Sequence, residues 1–433
     1  MGEFVKLKYF FKKIPLDTKE SNGYLSGFNK RNKQCEHLGT EELNITILWL
    51  KPSIKDIVFI SIDTLYIPVQ VSIPIYECLE ENFQITSDQI IFNATHTHSS
   101  PGIEESFDKD MVDMKYTSHI CESILKVFKD DMINFTEGNI FFQSQKISNK
   151  LLISRRKIGR DIKSFFLKRR MLMLPNHTNI IDDDLRLSYI FDIDNNLKVV
   201  LYMFSCHPVF NTSNNVSSDF IGDISQKIKE KLNSDSMFLQ GFLGDIRPAF
   251  TTKNIFDTNI INKFKLLFNQ EVFRDFRKKD FDFFCLSLSQ DIISTYNNIK
   301  QNPINSIEQI KTLKKNYTLI SNSGKSKKEF DIKFILINHN LFISIPAEVT
   351  SRYKIELSKK FLGLNIIPLG LSDGVIGYLP FYDEISSGGY EVDSAVNYGW
   401  DTFMSENSLK DFYIKLIEDI DLFILGENDD NKK

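Results

Sequence analysis

Two of the chain's 7 histidines stand two positions apart, in Asn93-Ala94-Thr95-His96-Thr97-His98-Ser99-Ser100-Pro101-Gly102. The apolar run QIIFNAT delivers them, and in extended backbone the side chains at i and i+2 point to the same side. Neutral imidazole is the commonest metal ligand, so such a pair can share an ion or a proton network. The bland alternative is two incidental histidines beside a Ser-Ser-Pro-Gly turn. His207 closes a second apolar run, VVLYMFSCH, and Glu348 follows a third, LFISIPA. Taken singly, His207 reads as a hydrogen-bonded strand boundary and Glu348 as an acid favoured at a helix N-terminus. Taken together, they are three metal-ligating side chains at three strand ends. His, His and Glu form a set that catalytic zinc uses, with one position left for water. Magnesium would ask for more carboxylates.

The elements that must position these residues follow from hydropathy patterning. ELNITILWLK alternates as a half-buried strand does, while DIVFISIDTL and LKVVLYMF read as more deeply buried strands. Helical segments are expected at 72–82, 219–232, 349–361 and 409–425, and short strands at 236–240 and 365–371. FILINHN and LFISI form an expected hairpin. Strand, helix and strand at this spacing predict βαβ units. The fold class is therefore α/β, with mixed, largely parallel β-sheets flanked by helices. Ligands in such sheets collect beyond the carboxyl ends of the strands.

Charge and composition narrow the partners. With 53 basic and 57 acidic side chains the net charge is −4, which argues against nucleic acid. The 5 cysteines are scattered without a CxxC pair, which fits a reducing compartment. The N-terminal MGEFVKLKYFFKKIPLD lacks the apolar core of a secretory signal. Asp63, Pro68, Gln70 and Pro74 spoil the most apolar stretch, 57–76, as a membrane helix and suit buried strands with a turn. A cytoplasmic protein without a transmembrane segment is expected; the oligomeric state is unread. Two stretches are dense in cations: 155–170, and 260–284, where lysines and arginines interleave with phenylalanines. The second reads as an amphipathic helix with a solvated basic face, or as a surface that meets anionic lipid or another chain.

NATHTHSSPG resembles the Thr-His-Thr-His-Ser-x-Pro-Gly signature of the neutral, non-lysosomal ceramidases and their shorter bacterial relatives. LLISRRK, MFSCHP, FLGDIRP, IPAEV and GVIGYLPFYDEISSGGYE follow in that family's order. The resemblance covers roughly 20–425 and is weakest at 250–330, read as a variable insertion. It implies one catalytic domain over 1–425, with 426–433 a disordered tail and no room for the C-terminal immunoglobulin-like domain of the long ceramidases. It also implies Zn2+ held by His96, His207, Glu348 and Tyr378, with His98, Arg155 and Tyr390 around the scissile amide. Asp245 either orients a ligand histidine or caps a turn.

One position departs from the family. Where ceramidases carry a serine in the loop matching GDIRP, this chain has Arg247. A permanent cation there either meets an anionic group of the substrate or turns outward to an acid. The expected activity is zinc-dependent hydrolysis of a small N-acyl substrate, lipid included. A deacetylase or esterase acting on an acylated sugar or other charged metabolite, and a non-catalytic relative, are the alternatives.

Overall fold

The structure, a computed structural model, describes residues 7–19, 21–28, 35, 43–103, 112–129, 133–164, 166–299 and 307–426. The runs richest in β-branched and aromatic residues build an eight-stranded sheet from β1 (Leu7–Pro15), β2 (Asn44–Lys51), β3 (Ile57–Ile62), β4 (Ile90–Ala94), β5 (Thr136–Lys146), β8 (Asp184–Asp192), β9 (Leu197–Phe204) and β10 (Asp235–Gln240), in the order β10-β9-β8-β5-β1-β2-β3-β4. A second sheet joins β14 (Ile310–Ile320), β15 (Lys327–Ile337), β16 (Asn340–Ser344) and β18 (Asn365–Leu369). Smaller sheets combine β6 (Leu152–Arg160), β7 (Arg169–Asn176) and β11 (Ile246–Pro248); β12 (Thr251–Thr252) and β13 (Val272–Phe273); and β17 (Glu348–Val349) and β19 (Tyr378–Leu379). The helices are α1 (Val69–Phe83), α2 (Met114–Lys129), α3 (Phe220–Leu232), α4 (Ile260–Asn269), α5 (Lys278–Ile299), α6 (Arg352–Lys360), α7 (Tyr390–Asp393) and α8 (Glu406–Leu425).

The two large sheets share a dry core in which Leu48, Phe59, Ile91, Val199, Leu201 and Leu239 meet Ile335, Phe342 and Ile367. Ile75, Leu79, Ile120 and Ile124 of α1 and α2 share a cluster with Trp49, Ile60 and Phe92. Ile224, Ile228, Leu288 and Ile292 of α3 and α5 do the same with Tyr202 and Phe238. On the far side, α6 and α8 bring Tyr353, Leu357, Leu416 and Ile420 to Phe330, Phe334 and Leu341. The layers run helix, sheet, sheet, helix, each element burying one apolar face.

The mixed α/β class agrees with the expectation, but the weighting towards parallel pairing does not. β1, β2, β5 and β8 pair only antiparallel, and parallel ladders are confined to β3–β4, β9–β10, β16–β18 and β17–β19. The reason is visible in β5, whose TEGNIFFQSQK keeps polar residues along its length as a sheet with a wet face does. Parallel neighbours need a crossover. Here α1 carries β3 to β4, α3 carries β9 to β10, and α6 carries β16 to β18. These three units lead to His96, His207 and Glu348.

Other differences are local. The second half of the apolar stretch 57–76 enters α1, with Pro74 inside the helix. The basic segment 260–284 is two helices parted by β13, with Gln270 at φ 63 ending the first. Helix α6 starts later than expected because Glu348 and Val349 pair with β19. The tail beyond Gly426 lies outside the described residues. No helix among the described residues is long and apolar enough to cross a membrane.

Candidate metal centre

β4 ends at Ala94, and His96 turns into the left-handed region at φ 67. A non-glycine residue held there stores about 1–3 kcal/mol of strain. Two carbonyls hold it: His96 N–H donates to Thr64 O (2.9 Å) and its Nδ1 to Leu65 O (3.0 Å). His96 and His98 therefore do not share the face of a pleated strand as the i, i+2 spacing predicts. The turn brings their Nε2 atoms to 3.3 Å by another route.

His207 is fixed the same way. Its Nδ1 donates to Ile246 O at 2.9 Å, which spends the one N–H of a neutral imidazole and leaves the Nε2 lone pair facing inward. Burial, then the charge of Arg155, push the His207 pKa down to about 4, so the ring stays neutral. Glu348 Oε2 lies 3.0 Å from His207 Nε2 and 3.5 Å from His96 Nε2. Three acceptor atoms thus converge within 4.8 Å of one another, all buried. None of the three carries a donor hydrogen of its own, so a cation fits between them, and the donor set suits zinc chemistry.

Tyr378 joins from the neighbouring strand: it is the register partner of Glu348 in the β17–β19 ladder, and its hydroxyl is 3.4 Å from His207 Nε2. The second Glu348 oxygen, Oε1, accepts from Tyr66 (2.7 Å) and Tyr398 (2.8 Å), which also touch each other at 2.9 Å. Burial raises both tyrosines well above their usual pKa, which keeps them protonated as donors. Such partners orient a ligand carboxylate.

Arg155 lies across the top of this group. Its Nη1 is 3.3 Å from His207 Nε2, and its guanidinium stands 5.4 Å from the ring centres of both Tyr378 and Tyr390. Glu391 takes Arg155 Nε on one oxygen (2.8 Å) and Arg156 Nη1 on the other (2.6 Å). Arg155 Nη2 is buried without a hydrogen-bond partner among the described residues. Tyr390, 37% exposed, is the rim of the site. Gly389 before it has φ 101, and a Cβ there would come within 2.6 Å of Met171 on β7, so this turn needs glycine.

Comparison with solved structures places this architecture. The neutral ceramidase from Pseudomonas aeruginosa superposes with a TM-score of 0.69 over 95% of this chain and 74% of its own, at 12% identity. A ceramidase complexed with C2 matches to the same extent. The chain has the neutral ceramidase fold. No protein-family model and no curated protein matches the sequence. At this identity the likeness is one of fold.

On that ceramidase fold, His96, His207, Glu348 and Tyr378 come together, with His98, Arg155 and Tyr390 around them. Asp245 does not touch a ligand histidine. It accepts from Ser351 N (2.7 Å) and Ser351 Oγ (3.1 Å), binding the turn before α6 to the β6 side of the site. Arg247 does not turn out to an acid. Its guanidinium lies 4.2 Å from the Phe273 ring centre and 5.4 Å from that of Phe276, and its Nε is buried without a hydrogen-bond partner among the described residues. Burial, then Arg155, push its pKa down to about 10. Tyr66, Tyr398, Glu391 and Gln240 were missed. Tyr66 follows the end of β3, so the rule that found the histidines could have found it. Gln240 Nε2 donates to Thr95 O (3.0 Å) and Cys206 O (2.9 Å), the residues just before the two ligand histidines. Nothing in the sequence marks that role.

Proposed function

We propose that this chain is a zinc-dependent hydrolase that cleaves the amide bond of an N-acyl compound, within one catalytic unit spanning residues 1–425. The observation that carries the reading is the convergence of His96 Nε2, His207 Nε2 and Glu348 Oε2 with both imidazole Nδ1–H groups already spent on backbone carbonyls. His96, His207, Glu348 and Tyr378 would hold a zinc ion, which would act as a Lewis acid and make water a nucleophile near pH 7. Arg155 Nη2 is the donor left for the oxygen of the scissile carbonyl, and Tyr390 stands beside it. A well-placed donor of this kind contributes a few kcal/mol to the transition state. His98, close to His96 at the less buried side, delivers a proton to the departing amine. Tyr66 and Tyr398 hold the Glu348 carboxylate in place. Likeness to ceramidases in fold supports a lipid amide of sphingolipid type. The five free cysteines support a reducing compartment, which we take to be the cytoplasm.

A second reading keeps the zinc and changes the substrate. Arg247, with no acidic partner among the described residues, favours an N-acyl or O-acyl metabolite that carries a carboxylate or phosphate. The test is a metal assay joined to a screen of N-acyl lipids, N-acyl amino acids and N-acetyl sugars. We expect about one zinc per chain and loss of turnover with a chelator; His96→Ala loses the metal, and His98→Ala keeps it and loses rate. Full turnover in excess chelator with no bound metal overturns the reading. On the second reading, Arg247→Ser lowers kcat/KM for an anionic substrate about 10- to 100-fold and leaves a neutral one unchanged.

A further inference from the structure

The two cation-dense stretches meet on one face outside the metal centre. Helix α4 is amphipathic but faces the unexpected way. Its packed side is Asn262, Lys265, Leu266 and Asn269: Leu266 is buried with Leu174 and Val272, and the Asn269 side chain accepts from Arg160 N (2.6 Å) and donates to Arg160 O (3.0 Å). Its solvent side is apolar: Ile260, Ile261, Phe264, Leu267 and Phe268 are 40–69% exposed. At the helical repeat these five cover an arc of about 120°, and Lys263 and Lys265 flank it. The preceding turn adds Phe256, 84% exposed, and β6 adds the exposed Ile158, one residue from the Gly159 that abuts Asn269. Ordinary monomer surfaces do not gather apolar side chains in this way.

The surrounding charge points to the occupant. Segments 157–170 and 253–269 hold nine lysines and arginines against two aspartates, Asp161 and Asp257. Arg170 is tied to Asp161 at 2.7 Å; Arg160, Lys163, Lys168 and Arg169 are exposed. A second copy of this chain docking through the same face would set like charge on like.

We propose that α4 and the β6–β7 hairpin form a docking face for an anionic phospholipid surface. The apolar stripe enters the headgroup boundary, and the surrounding cations meet lipid phosphates and carboxylates. The same hairpin reaches the metal centre: β6 carries Arg155 three residues before Ile158, and Met171 of β7 packs against Gly389 beside the rim residue Tyr390. The face thus sets the open side of the site next to the bilayer. Only this last step, the supply of a lipid amide from the membrane, rests on the function proposed above.

The test is co-sedimentation with phosphatidylcholine vesicles with and without phosphatidylserine. The full chain should pellet with the phosphatidylserine vesicles and be released by salt. Phe264→Asp/Leu267→Asp should weaken binding at least about tenfold, and so should Lys163→Glu/Lys168→Glu, a second pair of exposed positions that leaves the apolar stripe intact. Absence of pelleting, equal pelleting of wild type and both variants, or a concentration-dependent dimer in place of vesicle binding overturns the proposal. The readout does not involve turnover, so vesicle binding without hydrolysis of any N-acyl lipid upholds the face and counts against the hydrolase reading alone.

Discussion

The metal centre and the outer face of α4 meet along one strand, β6, and break opposite rules. In its middle, Arg155 and Arg156 are buried and share the two oxygens of Glu391. Two residues on, Ile158 and the stripe of α4 leave apolar surface in water beside exposed cations. The first region buries charge, which is tolerated only with close partners. The second exposes carbon, which is tolerated only at small cost per residue. The contrast teaches where substitutions should hurt: the centre is interdependent, and the face is a set of nearly independent side chains.

Glu391→Ala is the hardest test of that contrast. It leaves the buried Arg155 guanidinium without a carboxylate and Arg156 with Glu384 alone, and a loss of about 3–5 kcal/mol in urea unfolding is expected. A change below 1 kcal/mol would mean that water already serves these arginines and that the centre is less interdependent than its geometry indicates.

Next in size is the pH dependence of the metal-free protein. His207 has a folded pKa of about 4 against an ordinary 6.5, so between these values the unfolded chain binds the extra proton. Stability from this group is fully present above about pH 6.5 and is lost as pH falls towards 4, a decline on the order of 3 kcal/mol. Thermal melts of chelated protein across this range should show it, and His207→Gln should flatten the slope. An unchanged slope in that variant would place the titration elsewhere.

Smaller again is Tyr398→Phe, which removes one of two hydroxyls on Glu348 Oε1. Metal affinity should fall about 10- to 100-fold with the fold intact, read by competition with a chromophoric chelator. Smallest is Phe264→Asp on the outer face, where unfolding free energy should move by no more than about 0.5 kcal/mol. A loss comparable with that of Glu391→Ala would show that the stripe is packed in solution and is no docking face.

The candidate ligands were legible because metal chemistry admits few side-chain types and because His96, His207 and Glu348 each follow an apolar run that had to be a strand. Helices α1, α3 and α8 were legible for a related reason: they carry apolar residues at helical spacing. β1, β5 and β14 were not, since their lysines and glutamines read as loop until a neighbouring strand pairs with them. The outward stripe of α4 was visible as an amphipathic pattern, but periodicity says only that a helix has two sides, not which one meets the protein.

The sequence by itself determined the chemistry on offer: a histidine pair, a further histidine and a glutamate at strand ends, the cation Arg247 in a loop after a strand, and basic segments rich in phenylalanine. Tertiary structure alone decided that Tyr66 and Tyr398 grip Glu348, that Glu391 joins two arginines, that Gln240 ties the two histidine-bearing strand ends, and that Arg247 stacks on phenylalanines instead of pairing with an acid. Those contacts join residues far apart along the chain. Which distant segments meet is set by the packing of the sheets and not by any local pattern of residues.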